Sequence, residues 1–180
     1  MTARIFKPTL IHVFLGATLT LCAAACTSSE PLSPADVHEA AIVLDGHADV
    51  VLPDTSPLYL GADGQSKTAL EKLEAGGVDA VVMALATGPR PRTPEGRAAG
   101  AAEVAAKLDA VRTLVAEHPD RLAFAQTPEQ VRAASDNGQT AIILGFQNAL
   151  AFERDVSRID RLYADGERDL GLTQMGHNDF

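Results

Sequence analysis

The chain has 180 residues, 46% hydrophobic and 22% charged, an ordinary globular composition long enough for one domain with a real core. Its 24 acidic against 15 basic residues give a formal net charge of -9, with no basic stripe to neutralise phosphates. Aromatics at 4% and the absence of Trp remove the usual stacking platforms, so nucleic acid is excluded as a partner.

Residues 1–25 read as a lipoprotein signal peptide: Arg4 and Lys7, then an apolar segment over 10–25, then small residues ahead of Cys26. A membrane-spanning anchor is the competing reading, and the polar Thr27-Ser28-Ser29 after Cys26 favours cleavage instead. The junction resembles a bacterial lipobox, which makes Cys26 the lipidated first residue of an exported chain. No acidic residue follows Cys26 directly, which fits an outer membrane protein facing the periplasm. Cys22 would leave with the signal, so no disulfide is expected despite an oxidising compartment.

Residues 26–35 form a Ser/Pro-rich tether, and the folded domain is expected over 36–180. There, apolar runs at 41–44, 78–85, 122–125, 141–146 and 170–173 alternate with amphipathic stretches. Thr68 and Glu71 predict a capping box for a short helix stopped by Gly76-Gly77. Thr93-Pro94-Glu95 opens a long helix with Val104, Leu108, Val111 and Val115 at helical spacing. Thr127 and Gln130 form a second box, for a helix fading near Asn137-Gly138. Val156, Ile159, Leu162 and Tyr163 trace a last helix ending at Gly166. His38 and His118 fall on solvated helical positions; Arg90, Arg92 and Arg97 in the segment from Pro89 could reach an acidic substrate, but a solvated, flexible loop is favoured.

Strands apolar on both faces and alternating with helices predict an α/β fold with a parallel sheet. A doubly wound sheet and a (β/α)8 TIM-type barrel both satisfy that pattern. No Gly-rich fingerprint follows the first strand, and the barrel is favoured. His47 and Asp49 occupy that place in "IVLDGHADVV". Residues two apart on a strand project to the same side, so the pair is expected to enter the mouth of a barrel together. Imidazole nitrogen with carboxylate oxygen suits Zn²⁺. A buried His bonded to a nearby Asp is the alternative, and Asp45 is a candidate to orient a ligand or cap a turn.

The blocks "DGHADV", "LEKLEAGGVDAVVMAL", "AIILGFQNALAF" and "GLTQMGHNDF" resemble, in order and spacing, the membrane (renal) dipeptidase family, peptidase M19, from about residue 36 onward. The resemblance implies an amidohydrolase-like (β/α)8 barrel carrying zinc and hydrolysing dipeptides, or related small amides, with metal-activated water. It makes His47 and Asp49 ligands of one zinc, and places Gln147 where the family has a glutamate bridging two. An amide brings no charge, so one or two ions are expected, the second weakened. Gln174 falls where the family has a substrate-contacting histidine. His177 is a candidate to replace it or to cap the loop. The family's chain continues well beyond this sequence, so a barrel truncated after about five strands is expected, as a fragment or a natural truncation, and this stretch alone is expected to be inactive. A homodimer is the expectation for the full-length protein. The alternative function is a degenerate member that binds a peptide or metabolite without turnover.

Overall fold

The computed structural model describes residues 31–152, 154–174 and 176–178. The export segment and Cys26 lie outside the described residues. From Leu32 onward the chain clusters as one unit. It begins with α1 (Pro34–Ala40), whose Ser33 and Asp36 form a reciprocal capping box across the end of the stretch expected as tether.

Strands β1 (Leu44–Asp49), β2 (Ala80–Ala86), β3 (Leu122–Phe124), β4 (Thr140–Gln147) and β5 (Glu167–Gly171) all pair in parallel. The sheet runs β1-β2-β4, and the far edge of β4 is divided. β3 pairs its first residues, 140–142, and β5 pairs its last, 144–147. Two short strands thus complete the hydrogen bonding of one long one.

Alternation within β2 and β4 sorts the core. Val81, Met83 and Leu85 with Ile142, Leu144 and Phe146 face α3 (Pro94–Glu117), which contributes Val104 and Val111. On the other face Ala80 and Ala141 meet Ala125 and Ala134, the latter from α4 (Pro128–Asp136). Gly145 sits where a Cβ would come within 2.7 Å of Val82 Cγ1, so only glycine fits there. At the lower end Asp79 accepts from the Val43 amide at 2.8 Å and the Ser135 hydroxyl at 2.6 Å, joining β1, β2 and α4.

Several expectations need correction. The box at Thr68 does not form: α2 (Leu70–Ala75) has Ala69 as N-cap, and the Thr68 amide donates to Ser66 Oγ in a local turn. Thr127 caps α4 as expected, but Gln130 Oε1 receives the Gln126 amide, one residue before the cap. In α5 (Arg158–Asp165) only Ile159 and Leu162 pack on the core, while Val156 and Tyr163 are 61% and 63% exposed. Gly166, at φ 111, ends α5 as expected. β5 begins three residues before its expected run, because its charged residues hide the strand.

Ile143 also differs from the expectation that both faces are fully covered. It is half-buried and lines an apolar groove of about 500 Å³ with Ile42, Leu44 and Val131. Val81→Asp therefore costs about 3 kcal/mol or more, an unpaired charge at a fully buried position. Ile143→Asp costs clearly less in urea unfolding. Equal losses would place both side chains in the same environment and contradict the sheet's facing.

Glu167 is 4% exposed, and neither carboxylate oxygen has a hydrogen-bond partner. Burial, aided by nearby Asp165, raises its carboxyl above the ordinary range. A raised native value means that Glu167 is best tolerated at acidic pH and that stability is lost as pH rises through that value. Glu167→Gln should accordingly stabilise the protein by about 1–2 kcal/mol at pH 8 and by almost nothing at pH 4, read by melting temperature. A gain independent of pH would show that the carboxyl does not titrate in this range.

Candidate functional site

The carboxyl ends of β1, β2 and β4 surround a cavity of about 720 Å³. β1 reaches it through an irregularity: its register against β2 shifts between Asp45 and Ala48. Asp45 Oδ1 accepts the His47 amide at 3.0 Å, closing a short turn that bulges the strand. Asp45 is thus the turn cap among its two expected roles. Ala48 then returns to the core beside Met83, while His47 and Asp49 both line the cavity.

His47 Nε2 lies 3.8 Å from Asp49 Oδ1, with side chains 46% and 42% exposed. Two atoms bound to one zinc at about 2.1 Å cannot be more than ~4.2 Å apart, so this pair fits as two ligands of a single ion. A nitrogen and an anionic oxygen, open to a cavity, also match the chemistry of a divalent transition metal. Among the described residues no group of three or more His, Cys, Asp or Glu converges to hold an ion.

Gln147, at the end of β4, lines the same cavity, as does Gln174. Their amides contribute neutral donors and acceptors. His177 is not brought there. It lines a separate groove with Pro89, Arg90, Pro91, Arg92 and Gly176, because the chain after β5 folds back over the loop that follows β2. Arg92 Nη1 donates to the Asn178 carbonyl at 2.9 Å, and Asn178 Nδ2 donates to the Leu172 carbonyl at 2.9 Å.

The loop at Pro89 is exposed over residues 88–95, as expected from its composition, but it is also tied to its surroundings. Arg90 joins Glu103 at 2.9 Å, and Glu103 also meets Thr87 Oγ1 at 3.0 Å and Lys107 Nζ at 3.1 Å. Burial pushes the Glu103 carboxyl up, but hydrogen bonds from Arg90, Lys107 and Thr87 outweigh it and hold the group at about 2. Asn148 was also not singled out from sequence. It is buried at φ 73 and donates through Nδ2 to the Thr87 carbonyl at 3.0 Å. Its only sequence signal is its place directly after an apolar strand, where a left-handed residue is tolerated as Asn or Gly.

Five parallel strands flanked by helices, with polar groups gathered at the strands' carboxyl ends, define a protein of the TIM-type α/β class. The model of membrane dipeptidases, peptidase family M19, matches residues 33–180, and the chain belongs to that family. The probable dipeptidase PvdM from Pseudomonas aeruginosa shares the fold with a TM-score of 0.71 at 24% identity, over 81% of this chain and 38% of that one. An amidohydrolase from Pseudomonas aeruginosa gives 0.59 at 21%, over 78% of this chain and 36% of its own. A metallo peptidase from Rhodobacter sphaeroides, liganded with a phosphinate mimic of the dipeptide L-Ala-D-Ala, gives 0.60 at 17%. That match covers 76% of this chain and 47% of the other. At these identities the likeness is one of fold, and the chain spans under half the length of each structure. No curated protein matches the chain.

The exposure of His47 yields a stability prediction. His47→Ala in metal-free protein should shift unfolding by no more than about 0.5 kcal/mol, since a half-exposed imidazole is released rather than a packed one. Chemical denaturation measures it, and a loss of 2 kcal/mol or more would make His47 a structural residue.

Proposed function

We propose that the chain carries the metal-binding and substrate-facing part of a zinc-dependent dipeptidase. The observation that supports this reading is the His47–Asp49 pair, 3.8 Å apart and open to a cavity at the strands' carboxyl ends, in a member of a dipeptidase family. His47 and Asp49 would hold one Zn²⁺. A divalent ion there supplies Lewis acidity toward a peptide carbonyl and lowers the pKa of water.

The chain's own residues bind and orient. The Asp45 turn fixes the bulge that brings imidazole and carboxylate together, so the pair does not have to be ordered when a ligand arrives. The amides of Gln147 and Gln174 can donate to a substrate carbonyl or accept from a peptide N–H, and neither can act as a general base. A second reading, binding of a dipeptide without turnover, draws on those same two amides.

Zinc stoichiometry by elemental analysis, together with hydrolysis of a dipeptide panel, tests the proposal. The expected result is one zinc per chain, lost in both His47→Ala and Asp49→Ala, with cleavage of dipeptides by the full-length protein. Zinc retained by both variants would remove the pair from the site. Zinc bound with no cleavage of any dipeptide would leave the binding reading in place of the enzyme.

A further inference from the structure

The corner where α5 meets β5 buries a carboxyl group that no hydrogen bond serves. Both oxygens of Glu167 are buried without a hydrogen-bond partner. Glu167 opens β5 opposite Leu144, on the sheet face toward α3, and lines a cavity of about 210 Å³ with Ile159, Leu162, Tyr163 and Leu170. The register then skips Arg168, which bulges from the strand, and Asp169 turns to the opposite face beside Gly145. Burial of this kind suits a protonated carboxyl, whereas an ionised one needs a counter-charge.

The charged groups that act on Glu167 are Asp165, Arg112 and Arg168, and β4 brings none. Arg168 is committed elsewhere: Nη1 donates to the Tyr163 and Glu167 carbonyls at 2.9 and 2.7 Å, Nη2 donates to Gln126 Oε1 at 2.8 Å, and the guanidinium lies 3.9 Å over the Tyr163 ring. Arg158 and Arg161 of α5 turn to Asp155. Arg112, on α3, is held least. Its Nη2 donates to the Asp165 carbonyl at 3.4 Å and lies 3.6 Å from Asp165 Oδ1, with the side chain 46% exposed. It borders a further cavity of about 140 Å³ with Leu144, Asp165 and Gly166, so open space adjoins it beside the register partner of Glu167. In its present place Arg112 also serves α5, as a cation on the carbonyl of the helix's last residue, at the negative end of the helix dipole. That helix has no buried residue and no side-chain bond from its N-cap Ser157.

We propose that Glu167 and Arg112 form a proton-operated latch: protonated Glu167 stays buried while Arg112 caps α5, and Glu167, on giving its proton to solvent, draws Arg112 away from Asp165 and loosens the end of α5. The change is confined to that corner, because the far end of β5 is pinned by the Asn148 amide on the Gly171 carbonyl and the Ala149 amide on the Leu172 carbonyl. Burial, aided by Asp165, favours the protonated carboxyl, so the latch is closed in acid and opens as pH rises through the raised value. It is independent of the dipeptidase reading and of the cavity at the strands' carboxyl ends.

Carbon-detected NMR of the chain, titrated from about pH 4 to about pH 8, follows Glu167 Cδ and Arg112 Cζ together and needs no variant. Both resonances should move with one midpoint, above the ordinary glutamate value of about 4.3. In Glu167→Gln the Arg112 Cζ resonance should no longer show that midpoint. Arg112→Gln should raise the Glu167 midpoint further, because the ionised form loses its partner, with melting curves confirming that each variant is folded. Protection of the Leu162 to Gly166 amides against hydrogen exchange, corrected for the intrinsic effect of pH, should fall about tenfold over the same range and stay level in Glu167→Gln. A carboxyl that does not titrate in this range, an Arg112 Cζ that ignores the Glu167 titration, or α5 protection that stays level in the unaltered chain overturns the proposal.

Discussion

The arrangement of the cavity depends on one buried side chain, Asn148. Its Nδ2 donates to the Thr87 carbonyl, its Oδ1 receives the Leu150 amide at 3.3 Å, and its own amide donates to the Gly171 carbonyl at 2.9 Å. The carboxyl ends of β2, β4 and β5 therefore meet at a single residue. It holds a left-handed backbone at φ 73, a conformation costing of order 1 kcal/mol that persists only where surrounding contacts fix it. Each of those polar groups, buried and left unpaired, would cost about 1–3 kcal/mol. The hydrogen bonds therefore outweigh the strain.

That constraint propagates outward. With Thr87 held by Asn148, the residues after β2 are set in place for Arg90 to reach back to Glu103 on α3. Arg92 in turn fastens the chain beyond β5 through the Asn178 carbonyl. The cavity floor is made of strand ends locked to one another; α3 supplies Ala99, Glu103, Ala106 and Lys107 to one wall, and loop residues supply much of the rest. Below, Asp79 performs a comparable service for the lower ends of β1 and β2. Binding groups placed on elements fixed at both ends need little reordering on contact with a ligand.

Sequence revealed those parts whose signals are local. Helix α3 announced itself by Thr93-Pro94 and a long apolar period, β2 and β4 by unbroken apolar runs, and His47 with Asp49 by two-residue spacing on a strand. What sequence hid depends on partners far along the chain. Arg90 finds Glu103 thirteen residues away across a helix, and Arg92 finds Asn178 eighty-six residues on. Charge-rich β5 was displaced in the expectation because its pairing with β4, not its composition, makes it a strand. Gln147 and Gln174 were visible as cavity residues only through family resemblance, whereas Asn148 needed the register of three strands.

The cavity's charges also bear on how many ions the site can hold. Its acidic wall residues are Asp49, Asp54 and Glu103. Glu103 is already outmatched by Arg90 and Lys107, so it offers no compensation to a cation. Asp49 and Asp54 remain, at most two negative charges, and the same lining includes the neutral amides of Gln147, Asn148 and Gln174. Two divalent ions side by side bring four positive charges, and repulsion between them at short range in a partly desolvated cavity runs to several kcal/mol. Among the described residues, the two carboxylates offset at most two of those four charges.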